Sequence, residues 1–82
     1  LDLSYQSIRF IPDEIENLKN LKKLKLRNCI LLESVSGKCG ILDLNELDLN
    51  NCFSLKTPPP EIVNRGFNAI MVSLKMQFIT SV

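Results

Sequence analysis

Leucines recur along this chain at two spacings at once. Leu1, Leu24 and Leu47 are 23 residues apart, and so are Leu3, Leu26 and Leu49. Within each copy the leucines alternate with Asp2, Lys25 and Asp48, the period of a strand that buries one face and wets the other. The pattern predicts short strands at Leu1 to Leu3, Lys23 to Leu26 and Glu46 to Leu49. They are expected to run parallel, because every copy returns to the next by the same kind of crossover. In the first return, IPDEIENL, residues Ile11, Ile15 and Leu18 share one helical face. Pro12 suits a first helical position, and Asp13 and Glu14 favour the positive end, so a short helix is predicted there. The second return, ESVSGKCGILDL, carries Gly37 and Gly40 where the first has helix formers, and an irregular loop is expected. Ile41 and Leu44 then restore the register of Leu18 and Leu21.

The third copy ends differently, in TPPPEIVNRG. Consecutive prolines cannot donate to a ladder, so the sheet is expected to close there. After Gly66, residues Phe67, Ile70, Met71, Leu74 and Phe78 recur at helical spacing, which predicts a capping helix over the last strand. Ala69, Val72 and Met76 lie among Asn68, Ser73 and Lys75 on its far side, which points to a second contact. The expected division is 1–66 for the repeats, about three copies with a partial first, and 67–82 for the helix.

The pattern L-x-x-L-x-L-x-x-N/C is the leucine-rich repeat signature. The runs LKKLKLRNCILLESV and LNELDLNNCFSLKTPPPEI resemble the intracellular type found in nucleotide-binding immune receptors and Roco-type signalling proteins. PPPEIVNRGFNAIMVSLK resembles the segment that closes such arrays. The resemblance covers about the whole chain. It implies an α/β leucine-rich repeat solenoid with short parallel strands on a concave face and a C-terminal capping helix. Because Leu1 falls in mid-motif, the chain is expected to be the C-terminal end of a longer array. The resemblance also implies that Cys29 and Cys52, at the asparagine-or-cysteine position, point into the turn after each strand.

Composition narrows the chemistry. Ten Lys plus Arg against nine Asp plus Glu leave a net charge of +1, too balanced for a general nucleic-acid binder. No run reaches the length of a membrane span, and the Phe67 helix lacks the basic enrichment of a membrane-surface helix. The chain has no histidine, and Cys29, Cys39 and Cys52 are too widely spaced for a zinc site or a thiol–histidine pair. Gly37-Lys38 fails as a phosphate loop, since Leu32 stands where the first glycine belongs and Cys39 where the metal-binding hydroxyl belongs. Neither an enzyme nor a cofactor is expected. Three free thiols without framework spacing, and no N-x-S/T site, fit a reducing, cytoplasmic setting.

If the leucines point inward, the residues between them form the exposed surface. Asp2, Lys25 and Asp48 then line up in one column, Lys23 lies beside Glu46, and Ser4, Arg27 and Asn50 form the next column. Opposite charges so placed can pair across strands at about 0.2 to 1 kcal/mol each. A self-neutralising surface is one outcome. The other is a partner-binding face of Asp2, Lys23, Lys25, Arg27, Glu46, Asp48 and Asn50, since a fixed scaffold with variable outward positions is how solenoids bind proteins. The expected function is a protein–protein interaction module of a larger signalling or scaffold protein, its partner a protein or a neighbouring domain, with no nucleic acid, membrane or small-molecule substrate. The alternative is a purely structural segment packed within its own assembly.

Overall fold

The structure is a computed structural model that describes residues 1–80, with Phe78 and Thr80 described by their backbone alone. Its strands are β1 (Phe10–Ile11), β2 (Lys23–Lys25), β3 (Ser34–Val35) and β4 (Glu46–Asp48). Its helices are α1 (Pro60–Val63) and α2 (Phe67–Thr80), with 3-10 helices at Asp13–Asn17 and Gly37–Ile41.

The leucine register shows directly in the pairing. β2 and β4 are parallel, with Lys23 opposite Glu46, Leu24 opposite Leu47 and Lys25 opposite Asp48. On the other side of β2 the stretch Leu1 to Leu3 makes a bridge, Asp2 to Lys25, rather than a full strand. Three bonds hold it: the Leu3 N–H donates to the Lys25 carbonyl at 2.8 Å, the Lys25 N–H to the Leu1 carbonyl at 2.9 Å and the Leu1 amino group to the Lys23 carbonyl at 2.9 Å. Leu24 and Leu26 are fully buried and Leu47 and Leu49 nearly so, while Lys23, Lys25 and Arg27 are exposed. Leu1 departs from the inward expectation. It is 51% exposed and lines an open hollow with Leu18 and Leu21.

A second parallel ladder runs through the returns, and the alternation pattern did not predict it. β1 pairs with β3, Phe10 opposite Ser34 and Ile11 opposite Val35, and Ser34 bridges to Thr57. Strands of two residues are too short to show a period of 2 in sequence.

The returns themselves correct two expectations. The helix at IPDEIENL is a 3-10 helix whose N-cap is Pro12, and Ile15 is buried but Leu18 is not. Leu18 is the C-cap at φ −87°, ψ 69°, so the backbone leaves the helical path before its side chain can follow Ile15 inward. The second return is ordered too. The Ser36 hydroxyl accepts from the Lys38 N–H at 3.0 Å and starts the second 3-10 helix, which turns Cys39 fully into the core. Ile41 is exposed like Leu18, whereas Leu44 is buried.

In α2, Ile70 and Leu74 are buried and Phe67 and Met71 pack partly against the core. The Phe78 side chain lies outside the described residues, as do Ser81 and Val82 at the end of the expected 67–82 segment. The helix packs chiefly on the 3-10 helix Gly37–Ile41, not along the last strand as expected. At its first turn Phe67 and Ile70 line a hollow with Leu47 and Leu49. Gly40 sets this arrangement. A Cβ there would stand 2.7 Å from the Lys75 Cα and 2.9 Å from the Leu74 carbonyl carbon, inside the backbone of α2.

Two predictions follow from the core. Leu24→Ala removes a fully buried side chain and is expected to cost about 2 to 5 kcal/mol, read as a lowered midpoint in urea. Gly40→Ala forces α2 off its seat; a cost of about 1 to 3 kcal/mol and new hydrogen exchange at Ile70 to Leu74 are expected. Unchanged exchange there would show that α2 is held elsewhere.

Candidate functional site

The outward side chains of the Leu1 to Leu3, β2 and β4 layers form the candidate site. Asp2, Ser4, Tyr5, Lys25, Arg27, Glu46 and Asp48 line one hollow of about 550 Å³. Of the residues expected on this face, Lys23 lies just outside it, paired in register with Glu46. Asn50 is turned away and lines the hollows beyond β4 with Leu49 and Val63. Tyr5 was missed. It is 73% exposed at the end of the hollow, and its N–H donates to the Arg27 carbonyl at 2.9 Å.

Tyr5 stands where the chain must turn after each strand. Tyr5, Asn28 and Asn51, again 23 apart, hold the left-handed backbone, at φ 64°, 59° and 62°. Asparagine tolerates that region and tyrosine does so at a strain of roughly 1 kcal/mol. The sequence signal was available: Tyr5 shares the offset of two asparagines.

The charge geometry differs from simple cross-strand pairing. Arg27 reaches diagonally to Asp48, with Nε and Nη2 each 3.1 Å from Oδ2. The other Asp48 oxygen accepts the Asn50 N–H at 3.0 Å. Asp2 repeats the motif, accepting the Ser4 N–H at 2.9 Å. That bond, the Ser4 hydroxyl and the nearby Lys25 charge hold the Asp2 carboxyl below the usual carboxylate range. In the middle layer Lys25 occupies the equivalent position and cannot accept. There the Arg27 N–H donates instead to the Ser4 hydroxyl at 3.1 Å. Of the pairs a self-neutralising surface would make, Lys25–Asp48 and Lys23–Glu46 do not form among the described residues; the Arg27 guanidinium takes Asp48 instead. Two further pairs, Lys22–Asp43 at 2.6 Å and Lys38–Glu16 at 3.4 Å, lie on the returns.

The cysteines act in the layers. The Cys29 thiol donates to the Leu3 carbonyl at 3.2 Å and the Cys52 thiol to the Leu26 carbonyl at 3.0 Å, each reaching back one layer. Burial raises the Cys52 pKa and pushes the Cys39 thiol up to about 12. These thiols are protonated at neutral pH, the opposite of what a nucleophile needs. Among the described residues no group of His, Cys, Asp and Glu is placed to hold a metal ion, and no helix is long and apolar enough to cross a membrane.

The chain is similar in sequence to proteins of Arabidopsis thaliana. It is 38% identical over 56 residues, 68% of this chain, to a putative disease resistance protein. It is 37% identical over 54 residues, 66% of this chain, to the disease resistance protein RPP5. It is 39% identical over 59 residues, 72% of this chain, to the protein SUPPRESSOR OF npr1-1, CONSTITUTIVE 1. The matched stretch spans 5%, 4% and 4% of these relatives, so the chain corresponds to a small piece of each. No protein-family model matches the chain, and no solved structure does.

Cys39 supplies a test of the packing. Its pKa rises on folding from 9.0 to about 12, so between those values the unfolded chain releases a proton that the folded chain keeps. Stability is fully present below pH 9 and is expected to fall as pH rises from there towards 12. A Cys39→Ala variant should show a flatter decline. At pH 8, iodoacetamide should leave Cys39 unmodified until urea unfolds the chain, as read by mass spectrometry.

Proposed function

We propose that the chain is part of a leucine-rich repeat solenoid of α/β class and serves as a protein-interaction segment of a larger intracellular signalling protein of the disease-resistance kind. In this reading residues 1–66 carry the repeats and 67–82 close them. The observation that carries it is the 23-residue translation. Leu24 lies opposite Leu47, and Asp2, Lys25 and Asp48 neighbour one another across the ladder, so the buried positions repeat while the outward ones change. A scaffold that fixes its core and varies its exposed face is suited to recognising a protein surface. Similarity to disease resistance proteins supports the signalling context. Thiols held protonated by burial, in a chain without histidine, favour binding over catalysis and a cytoplasmic setting.

A second reading has its own observation. Val72, Met76 and Ile79, at helical spacing on the outer side of α2, are 61%, 53% and 53% exposed, which favours packing of this segment within its own assembly.

A photo-crosslinking amino acid placed at Lys25, and separately at Val72, in the parent protein separates the two. Crosslinks from position 25 to another protein support interaction through the β2 face. Crosslinks from position 72 to the same polypeptide, with none from position 25, support the structural reading.

A further inference from the structure

We propose that the open edge of β4 takes up an extended segment of a partner protein as a further parallel strand, one whose side chains alternate between basic and β-branched apolar. This rests on the interaction reading above and locates one contact at the edge of the sheet rather than on its face.

Each layer bonds the next through the same backbone groups. The Leu3 and Tyr5 N–H groups donate to the Lys25 and Arg27 carbonyls, and their equivalents at Leu26 and Asn28 donate to Asp48 and Asn50. Leu49 and Asn51 hold the same positions in the last layer, and their N–H groups have no acceptor among the described residues. The Leu47 carbonyl is the equivalent of the Leu1 carbonyl, which accepts the Lys25 N–H, and it faces the same open side. β4 has a strand, β2, on one side only, so these groups form an unpaired parallel edge. Beside that edge lies a hollow of about 250 Å³ whose apolar lining is Leu47, Leu49, Val63, Phe67 and Ile70.

A strand added here places its inward side chains level with Leu47 and Leu49, in the apolar hollow, where β-branched residues fit a pleated surface. Its outward side chains fall level with Glu46, Asp48 and Asn50. Glu46 and Asp48 also line the hollow, with no lysine or arginine beside them. Asp48 is shared with Arg27, while Glu46 has no ion pair among the described residues, so a cation is favoured on this side of β4. Charge also decides against a second copy of this chain, although its Leu1 to Leu3 edge carries the matching backbone groups. The register Asp2–Lys25–Asp48 and Arg9–Glu33–Lys56 would bring Asp2 of the copy beside Asp48 and Arg9 of the copy beside Lys56. Like charges directly opposite are destabilising, and a partner segment avoids both.

The test uses the full chain and a peptide containing Lys-Val-Lys-Val-Thr, its first lysine level with Glu46. Amide exchange followed by NMR should slow at Leu49 and Asn51 on adding the peptide, by about fivefold or more near saturation, and stay unchanged at Leu26 and Asn28, which are already bonded. Methylating the backbone nitrogen of the second lysine removes the donor that meets the Leu47 carbonyl and is expected to weaken binding about tenfold. A Glu-Val-Glu-Val-Thr peptide should bind about fivefold more weakly, and Glu46→Lys in the protein should narrow that gap. Melting curves check the variant; if it does not fold, the two peptide changes decide. The proposal is overturned if the peptide leaves Leu49 and Asn51 unprotected, or if the methylated or acidic peptide binds as well. It is also overturned if the chain alone self-associates in sedimentation with those amides protected, which would make a second copy the occupant. Failure here alongside crosslinks from position 25 to a protein would sink the edge proposal alone; absence of those crosslinks as well would sink the interaction reading with it.

Discussion

The structure depends on the hydrogen bonds that tie each layer to the next, because they oblige residues 23 apart to hold the same backbone conformation. The Leu3 N–H donates to the Lys25 carbonyl and the Leu26 N–H to the Asp48 carbonyl, both at 2.8 Å; two residues on, the Tyr5 and Asn28 N–H groups donate to the Arg27 and Asn50 carbonyls at 2.9 Å. A residue that cannot adopt the shared conformation has to be strained into it. That is the position of Tyr5, left-handed where the other layers carry asparagine. The layers also exchange side-chain bonds at this turn: Asn51 donates to Asn28 at 3.4 Å, and the two thiols reach back to carbonyls of the preceding layer.

Burial follows from that constraint. Once the strands are in register, Leu24 and Leu26 have neighbours on both sides and lose all exposure. The cost of deleting a leucine therefore depends on its layer rather than on its place in the motif. The second ladder, from β1 through β3 to Thr57, fixes the returns in the same way, with the Glu33 N–H donating to Arg9 at 2.7 Å and the Lys56 N–H to Glu33 at 2.8 Å.

How much of this could be read from the chain differs by scale. The positions of β2 and β4 and their inward leucines were legible because a period of 2 inside a period of 23 leaves few alternatives. The 3-10 helices were not, since a helix of one turn or so carries too few residues to distinguish its period, and Leu18 was accordingly placed inward when it is exposed. Gly40 was read as loop punctuation, although the backbone of α2 packs directly against it; an intersegment contact leaves no trace in local pattern. The candidate face was legible in part. Asp2, Lys25, Arg27, Glu46 and Asp48 do converge, but the pairing was assigned by column, and the reach of Arg27 to Asp48 cuts across columns.

That diagonal contact changes how the charges on the face should be counted. A carboxylate bonded to a backbone N–H holds its turn and still keeps its charge, as Asp48 does in pairing with Arg27. Asp48 is further covered, with 12% of its side chain exposed, and its remaining oxygen is taken by Arg27, which is itself half-exposed. Lysine at position 25 gives up the turn-closing bond that aspartate makes in the layers on either side. Folding alone would favour an acceptor there, since the Ser4 hydroxyl replaces a charged acceptor with a neutral one. Lys25 instead places an exposed ammonium beside Asp2 across the bridge, where opposite charges on neighbouring strands attract.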